Sequence, residues 1–233
     1  MTRRSDEGLR RVDSGWFETG REGRIGIPEA IYAPGKSDFQ LAELTMLSLA
    51  SASPTVVTRL DPGRVDSLHL YEVEYRLFPD PSSWDGPVCL VAHEKERIGQ
   101  ECEVGILAAG SSDLGVASEA QAVLWAMGIP TRLILDCGVA APARVEMALA
   151  EVACARAIIV VAGFEAALAT VVGSLVGQPV VAVPTSVGYG STRQGETALF
   201  AMLASCAAGV SVVGIDNGFG GGCAALRIVQ GGK

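Results

Sequence analysis

Between residues 103 and 216 the chain repeats one phrase: a short apolar run, a break of small or polar residues, then a segment of helical character. The apolar runs are "EVGILAA" (103–109), "TRLILD" (131–136), "AIIVVA" (157–162), "PVVAVP" (179–184) and "GVSVVGID" (209–216). Helices are expected at 118–127, where Gly128 supplies the stop, at 142–153, where Pro142 sits in the first turn, and at 165–176 and 196–206, with a short terminal helix after the last run. Strands that are apolar throughout, each followed by a helix, must be covered on both faces. That demands an α/β fold with a parallel sheet between helix layers. Ligands of such open sheets bind beyond the carboxyl ends of the strands. The chemistry is therefore to be sought at 110–113, 136–144, 163–165, 184–195 and 216–222.

The first part of the chain reads differently. Residues 1–97 carry 28 charged side chains, whereas the longer stretch 98–233 carries 16. Two units are expected, 1–97 as a smaller α+β domain and 98–233 as the α/β domain. The first has an irregular start, a helix near 38–50, strand-like runs "TVVTRL" and "LYEVEYRLF", and a turn-rich linker or loop at 79–87. So charge-poor a second unit needs cover, which points to a homo-oligomer.

Composition removes several classes of function. A formal net charge of −8 argues against a nucleic-acid partner, because phosphate-backbone contacts need clustered Lys and Arg. The six cysteines show no CxxC spacing, which disfavours a zinc site or a disulfide framework and suits a reducing, cytoplasmic setting. Arg3, Arg4, Asp6 and Glu7 leave no apolar run for a signal peptide, and 157–183 is too interrupted to cross a membrane. Only two histidines occur, His69 and His93, in no metal-ligand spacing, so both are read as structural. No metal-ligand cluster is visible; a magnesium ion is expected only as a companion of a substrate's phosphates.

Five segments could carry chemistry. "AAGSSDLG" places Gly110, Ser111 and Ser112 where backbone amides meet a phosphate, with Asp113 as a helix cap, a ribose ligand or an acid–base group. Arg144 follows the second strand, free in solvent or facing an anion. Gly163 and Glu165 end the third; burial would raise the pKa of this carboxyl and suit it to proton transfer, although a glutamate at a helix start is also favoured by the dipole. "PTSVGYG" supplies Thr185, Ser186, Gly188, Tyr189 and Gly190 as a loop able to wrap a nucleotide. Asp216 and Asn217 end the last strand. Cys206, between an apolar helix and that strand, is either a small packing residue or a nucleophile.

"AAGSSDLGVASEAQAVLWAMGI" resembles the phosphate-binding start of the PurE class of aminoimidazole ribonucleotide carboxylases. "VVAGFEAALATVVGSLVGQPVVAVPTSVGYG", "AMLASCAAGVSVVGIDNGFGGGCAA" and "IPEAIYAPGKS" resemble LarB, the nickel-pincer cofactor biosynthesis family, over roughly residues 24–228. The resemblance implies a PurE-like, flavodoxin-like domain, an octamer, and a carboxylase and phosphoanhydride hydrolase acting on nicotinic acid adenine dinucleotide and CO2. It assigns Cys206 as nucleophile, Glu165 and Asp113 as further catalytic carboxyls, and Ser111 and Ser112 to a ribose phosphate. The family reads G-V-A-G-x-H-R where this chain has "GVAAPAR", so Ala143 replaces a histidine that shuttles protons in the PurE class. That departure counts against aminoimidazole ribonucleotide as substrate. A related pyridine dinucleotide and a non-catalytic nucleotide-binding role are the other readings.

Overall fold

The computed structural model describes residues 8–12, 15–97 and 102–231. The acidic and basic residues named before position 8 lie outside the described residues, and the expected boundary at 97/98 adjoins another such stretch, 98–101.

The C-terminal part contains β7 (Val104–Ala108), α3 (Leu114–Ala126), β8 (Thr131–Ile134), α4 (Pro142–Glu151), β9 (Ala157–Ala162), α5 (Ala167–Leu175), β10 (Val180–Pro184), α6 (Glu196–Leu203), β11 (Val210–Val212) and α7 (Gly218–Val229). The five strands form one parallel sheet in the order β11-β10-β9-β7-β8. This is the expected α/β class with helices on both faces, in flavodoxin-like order. Alternation along β9 shows how each face is filled. Ile159 and Val161 face α3 and α7, among Ala120, Val123, Leu124 and Leu226. Ile158 and Val160 face α4, α5 and α6, among Val145, Leu168, Val172 and Met202. Each such buried branched side chain contributes about 1.5–3 kcal/mol relative to exposure.

The N-terminal part holds β1 (Leu9–Val12), β2 (Gly15–Glu18), α1 (Arg21–Ile25), β3 (Ala30–Tyr32), α2 (Asp38–Leu49), β4 (Thr55–Leu60), β5 (Tyr75–Phe78) and β6 (Val88–Ala92). β1 and β2 pair as an antiparallel hairpin, while β3-β4-β6-β5 form a mixed four-stranded sheet. Helix α2 starts where expected because Ser37 and Gln40 form a reciprocal capping box. The run "LYEVEYRLF" is strand only in its second half, and β6, at the interior of the sheet, was not anticipated. Residues 79–87 connect β5 to β6 within one sheet and so act as a loop, not a linker between units.

The two parts are not separate. One face of the mixed sheet, with Val56, Phe78, Cys89 and Val91, packs on Ala122 and Ala126 of α3. Helix α3 is thus covered by one sheet on each side, which accounts for its nearly all-apolar composition.

The terminal helix expected after the last apolar run is α7, twelve residues long rather than short, and Gly218 to Gly222 form its first turns. The glycines are there for contact: a Cβ on Gly222 would lie 2.2 Å from Val123 Cγ1 and 2.7 Å from the Ala120 carbonyl oxygen of α3. We predict that Gly222→Ala destabilises the protein. Overpacking against backbone costs about 1–3 kcal/mol, more than the ~1 kcal/mol that alanine returns in helix propensity. Urea denaturation should show a lower midpoint with an unchanged slope.

Candidate active site

The sheet order reverses between β7 and β9: the chain leaves β7 for β8 on one side and returns to β9 on the other. A crevice opens where neighbouring connections diverge in this way. A cavity of about 360 Å³ lies there, lined by Gly110–Asp113, by Asp136 and residues 138–140 after β8, by 162–168 after β9, and by Val187.

Asp113 is the electrostatic centre of this cavity. Residues Ser111 to Asp113 make a 3-10 turn that runs into α3, and the turn folds the carboxylate back into the protein. Its Oδ2 accepts from the Gly110 N–H at 2.9 Å, and its Oδ1 accepts from the Thr185 hydroxyl at 2.7 Å. The carboxylate therefore ties the end of β7 to the end of β10 across β9. Gly163 permits this approach, since a Cβ there would stand 2.7 Å from Thr185 Oγ1 and 2.3 Å from the Val187 carbonyl oxygen. Asp113 is only 2% exposed. Burial raises its pKa above the ordinary carboxylate range, against the lowering effect of the Thr185 and Gly110 hydrogen bonds and with a smaller push from the Asp216 charge.

Glu165 lines the same cavity but is exposed. The burial expected of it is absent, because the turn at Phe164 and Ala166, both at positive φ, swings it outward before α5 begins at Ala167. The buried carboxyl that sequence reasoning sought is Asp113. Phe164 lines the cavity and meets the highly exposed Tyr189 edge-on, with ring centroids 5.4 Å apart. Gly188 and Gly190 flank Tyr189 on that exposed loop.

Other expected site residues are placed elsewhere. Arg144 does not line the cavity; it pairs with the Asp136 carboxylate at 2.6 Å, both partners in solvent. The Asn217 side chain accepts from the Gly220 N–H at 2.8 Å and so serves as the cap of α7. The last strand ends at Val212, so Asp216 and Asn217 lie in its connection to α7; Asp216 accepts from the Ser186 N–H at 2.8 Å, tying the loop after β10 to that connection.

Cys206 is not the end of a helix: α6 stops at Leu203, and the thiol lies in the exposed connection to β11. Its neighbours place it against the flank of α5, where Ser205 and Thr170 hydroxyls meet at 2.8 Å and Ala207 packs on Gly173. It does not line the switch-point cavity. Among the six thiols, burial pushes Cys89 and Cys223 up to about 12 and Cys102 and Cys137 up to about 11. Those four are protonated and inert at neutral pH. Cys206 and Cys154 are the exposed thiols.

Residues 103–233 match the family model described as AIR carboxylase, and residues 10–76 match the one described as LarB/PurE-like N-terminal domain. The chain belongs to the LarB family. It is also 33% identical over 219 residues to an uncharacterized protein of Methanocaldococcus jannaschii, covering 92% of this chain and 83% of that one. Family membership makes the chain a carboxylase-type enzyme, LarB-type or AIR carboxylase-like in function. Among the described residues, no helix is long and apolar enough to cross a membrane, and no group of three His, Cys, Asp or Glu could hold a metal ion.

A second cavity of this LarB-family chain was missed by sequence reasoning. It lies between the mixed sheet and α3, has a volume of about 410 Å³, and shares Ser112 and Val187 with the first. Arg59 reaches it from β4 and bonds Glu119 of α3 at 3.3 Å and the Asp216 carbonyl oxygen. Two signals were available. Glu119 is a lone acid in an apolar helix, which calls for an internal partner, and Trp84 is a large aromatic inside a Pro/Ser/Gly loop.

The buried carboxyl makes a prediction about pH. Its raised pKa means the folded state holds a proton the unfolded state has released. Asp113 thus contributes stability that is present below the ordinary carboxylate pKa and is lost as pH rises through the raised one. Asp113→Asn, which keeps both shape and an acceptor, should flatten that decline. Its melting temperature at pH 8 should equal or exceed that of the parent protein, while at pH 4 the parent gains relative to it. Thermal melts across this range check the sign.

Proposed function

We propose that the protein carboxylates the pyridinium ring of nicotinic acid adenine dinucleotide at carbon 5 and cleaves the phosphoanhydride, giving pyridinium-3,5-biscarboxylic acid mononucleotide and AMP. The observation that carries this reading over aminoimidazole ribonucleotide carboxylation is the polar content of the switch-point cavity. It offers a buried carboxyl, two exposed carboxyls and hydroxyls, while neither histidine of the chain lines it. Ala143 stands where the PurE class has its shuttling imidazole.

The chemistry explains the need for a thiol. A pyridinium ring is electron-poor, so its carbon 5 does not attack CO2. Addition of the Cys206 thiolate to carbon 4 forms a C–S bond and moves a ring electron pair to give an enamine. Carbon 5 of that enamine attacks CO2, forming the new C–C bond and an iminium. A base takes the proton from carbon 5, the C–S bond breaks, and the thiolate leaves with its electron pair as aromaticity returns. Water then cleaves the phosphoanhydride and AMP departs. Asp113 and Glu165 handle the protons, Asp113 by virtue of its raised pKa. Gly110, Ser111 and Ser112 hold the pyridine nucleotide, while Thr185 holds the Asp113 carboxylate in place; magnesium, as part of the substrate, accompanies the pyrophosphate.

Cys206 reaches this cavity from a neighbouring copy of the chain. The octamer implied by the family fits the exposed apolar side chains of the C-terminal part, which include Met147 of α4, Leu175 of α5, and Phe200 and Leu203 of α6, all more than 60% exposed.

Incubation with nicotinic acid adenine dinucleotide and bicarbonate should yield AMP and the dicarboxylated mononucleotide by mass spectrometry. Cys206→Ala should lower both products by several orders of magnitude with the fold intact. Absence of both products from the unmodified protein at every enzyme loading refutes the substrate. Aminoimidazole ribonucleotide serves as the competing substrate in the same assay. A mixed assembly of Cys206→Ala chains with Asp113→Asn chains should regain activity that neither has alone, because some cavities then combine an intact carboxyl with a neighbour's thiol.

A further inference from the structure

Two thiols of this chain touch, and neither has a role in the chemistry above. Cys154 lies in the turn after α4, and Cys102 stands just ahead of β7. The fold brings them together because β7 and β9 are neighbours in the sheet, paired in parallel with Val104 opposite Ala157. The pairing runs on ahead of the strands: the Arg156 N–H donates to the Glu103 carbonyl oxygen at 2.9 Å. The cysteines precede that bond, one on each segment. The Cys154 thiol donates to the Cys102 carbonyl oxygen at 3.9 Å, and the two thiols are themselves in hydrogen-bonding contact. Adjacent strands lie about 4.7–4.9 Å apart, inside the Cα separation of about 4.4–6.8 Å that a disulfide spans.

The pair is asymmetric. Cys154 is exposed, whereas Cys102 is 5% exposed and packs among Val152 and Ala155. Burial pushes the Cys102 thiol up to about 11, the charge and hydrogen bond of Cys154 add to that, and the Arg132 backbone N–H and charge oppose it. An oxidant in solvent therefore meets Cys154 first. Without a neighbour, an exposed cysteine climbs from sulfenic to sulfinic acid and is lost; a second thiol in contact diverts it to a reversible disulfide.

We propose that Cys154 and Cys102 form a peroxide-responsive modification site, with Cys154 as the reacting thiol and Cys102 as the resolving one. The Cys154 thiolate attacks one oxygen of hydrogen peroxide. The O–O bond breaks, the sulfur is oxidised to sulfenic acid, and hydroxide leaves and takes up the proton that the thiol had released. The Cys102 sulfur then attacks the Cys154 sulfur. An S–S bond forms, the S–O bond breaks, and the Cys102 proton departs with the hydroxyl as water. Two thiols and one peroxide thus give one disulfide and two waters. Burial keeps Cys102 from solutes but not from this partner, because the electrophile is held against it. Oxidation also removes the Cys154 charge that helped to keep Cys102 protonated. The bond joins the segments leading into β7 and β9, at the edge of the sheet opposite the switch-point cavity, and closes a loop that contains α3, β8 and α4. It leaves the cavity lining untouched while constraining the unfolded chain.

The full chain, folded, is treated with a small excess of hydrogen peroxide, then unfolded, alkylated and digested with trypsin. Mass spectrometry should find the peptides 98–132 and 145–156 joined, each carrying one of the two cysteines, and dithiothreitol should part them again. The oxidised protein should melt about 5 °C or more above the reduced one. Cys154→Ser, a change at an exposed position, should give neither the joined peptides nor the gain in melting temperature, and should leave Cys102 open to alkylation after unfolding. Cys102→Ala removes the resolving thiol, so the same treatment should carry Cys154 on to sulfinic acid that dithiothreitol does not reverse. Recovery of Cys154 from the unmodified protein as sulfinic acid with Cys102 still a thiol overturns the proposal. So does a Cys154 disulfide formed with Cys206 or with Cys154 of another copy in place of Cys102.

Discussion

Everything in this molecule depends on α3 being buried from two sides. Its Ala120, Val123 and Leu124 seal one face of the parallel sheet, while Ala122 and Ala126 accept the mixed sheet of the N-terminal part. A helix with only one covered face could rock as its partner breathes. With both faces covered, its N-terminus is fixed relative to two sheets at once. That N-terminus carries Ser111, Ser112 and Asp113, the turn from which both cavities are built. The close approach of α7, which brings Gly222 against Ala120 and Val123, removes the remaining freedom. Pre-organisation of the site is therefore a packing property, and small residues at the helix contacts are its requirement.

Two buried carboxylates on this helix are handled in opposite ways. Glu119, 5% exposed, is neutralised by Arg59 from the other unit and accepts from the Phe219 N–H at 3.2 Å. It is a structural charge, and removing Arg59 would strand it. Among the described residues no cation pairs with Asp113; its partners are a hydroxyl and one backbone amide. Hydrogen bonds from neutral donors favour the carboxylate, yet burial outweighs them and the pKa rises. The two carboxylates thus differ in their partners: a guanidinium holds Glu119, whereas neutral donors hold Asp113.

The sheet was legible because its signal is repeated and long in sequence: five apolar runs, each followed by a helix, leave little choice but a covered parallel sheet. Its carboxyl edge then pointed to Gly110–Asp113 and Gly163–Glu165 without any further information. What failed was local. The length of α7 was hidden because glycine lowers helix propensity by about 1 kcal/mol per residue; at Gly218 to Gly222, tertiary contact with α3 overrides it. The exposure of Glu165 turns on two positive φ angles, at Phe164 and Ala166, in residues that carry no sequence mark for that conformation. β6 is a five-residue uniformly apolar run, short enough to be invisible to periodicity. Arg59 was hidden for a similar reason. It stands at positive φ in the register irregularity between Val57 and Leu60, which turns its side chain out of the strand alternation and toward α3.

The position of Cys206 links fold to assembly. A thiol that must add to a ring and leave again needs access and a rigid backbone, and a buried thiol has neither access nor a thiolate. Burial disables Cys89, Cys102, Cys137 and Cys223 in this respect, with pKa values of about 11 to 12. Cys206 is accessible: it sits in an exposed connection, held by the Ser205–Thr170 hydrogen bond and the Ala207–Gly173 contact. Yet the same connection leaves it off the carboxyl edge, where Asp113 and Glu165 lie. Under the proposed reaction, the exposed thiol and the cavity carboxyls come together only where copies of the chain meet, and the reacting group is then assembled together with the water-excluding wall that the reaction needs.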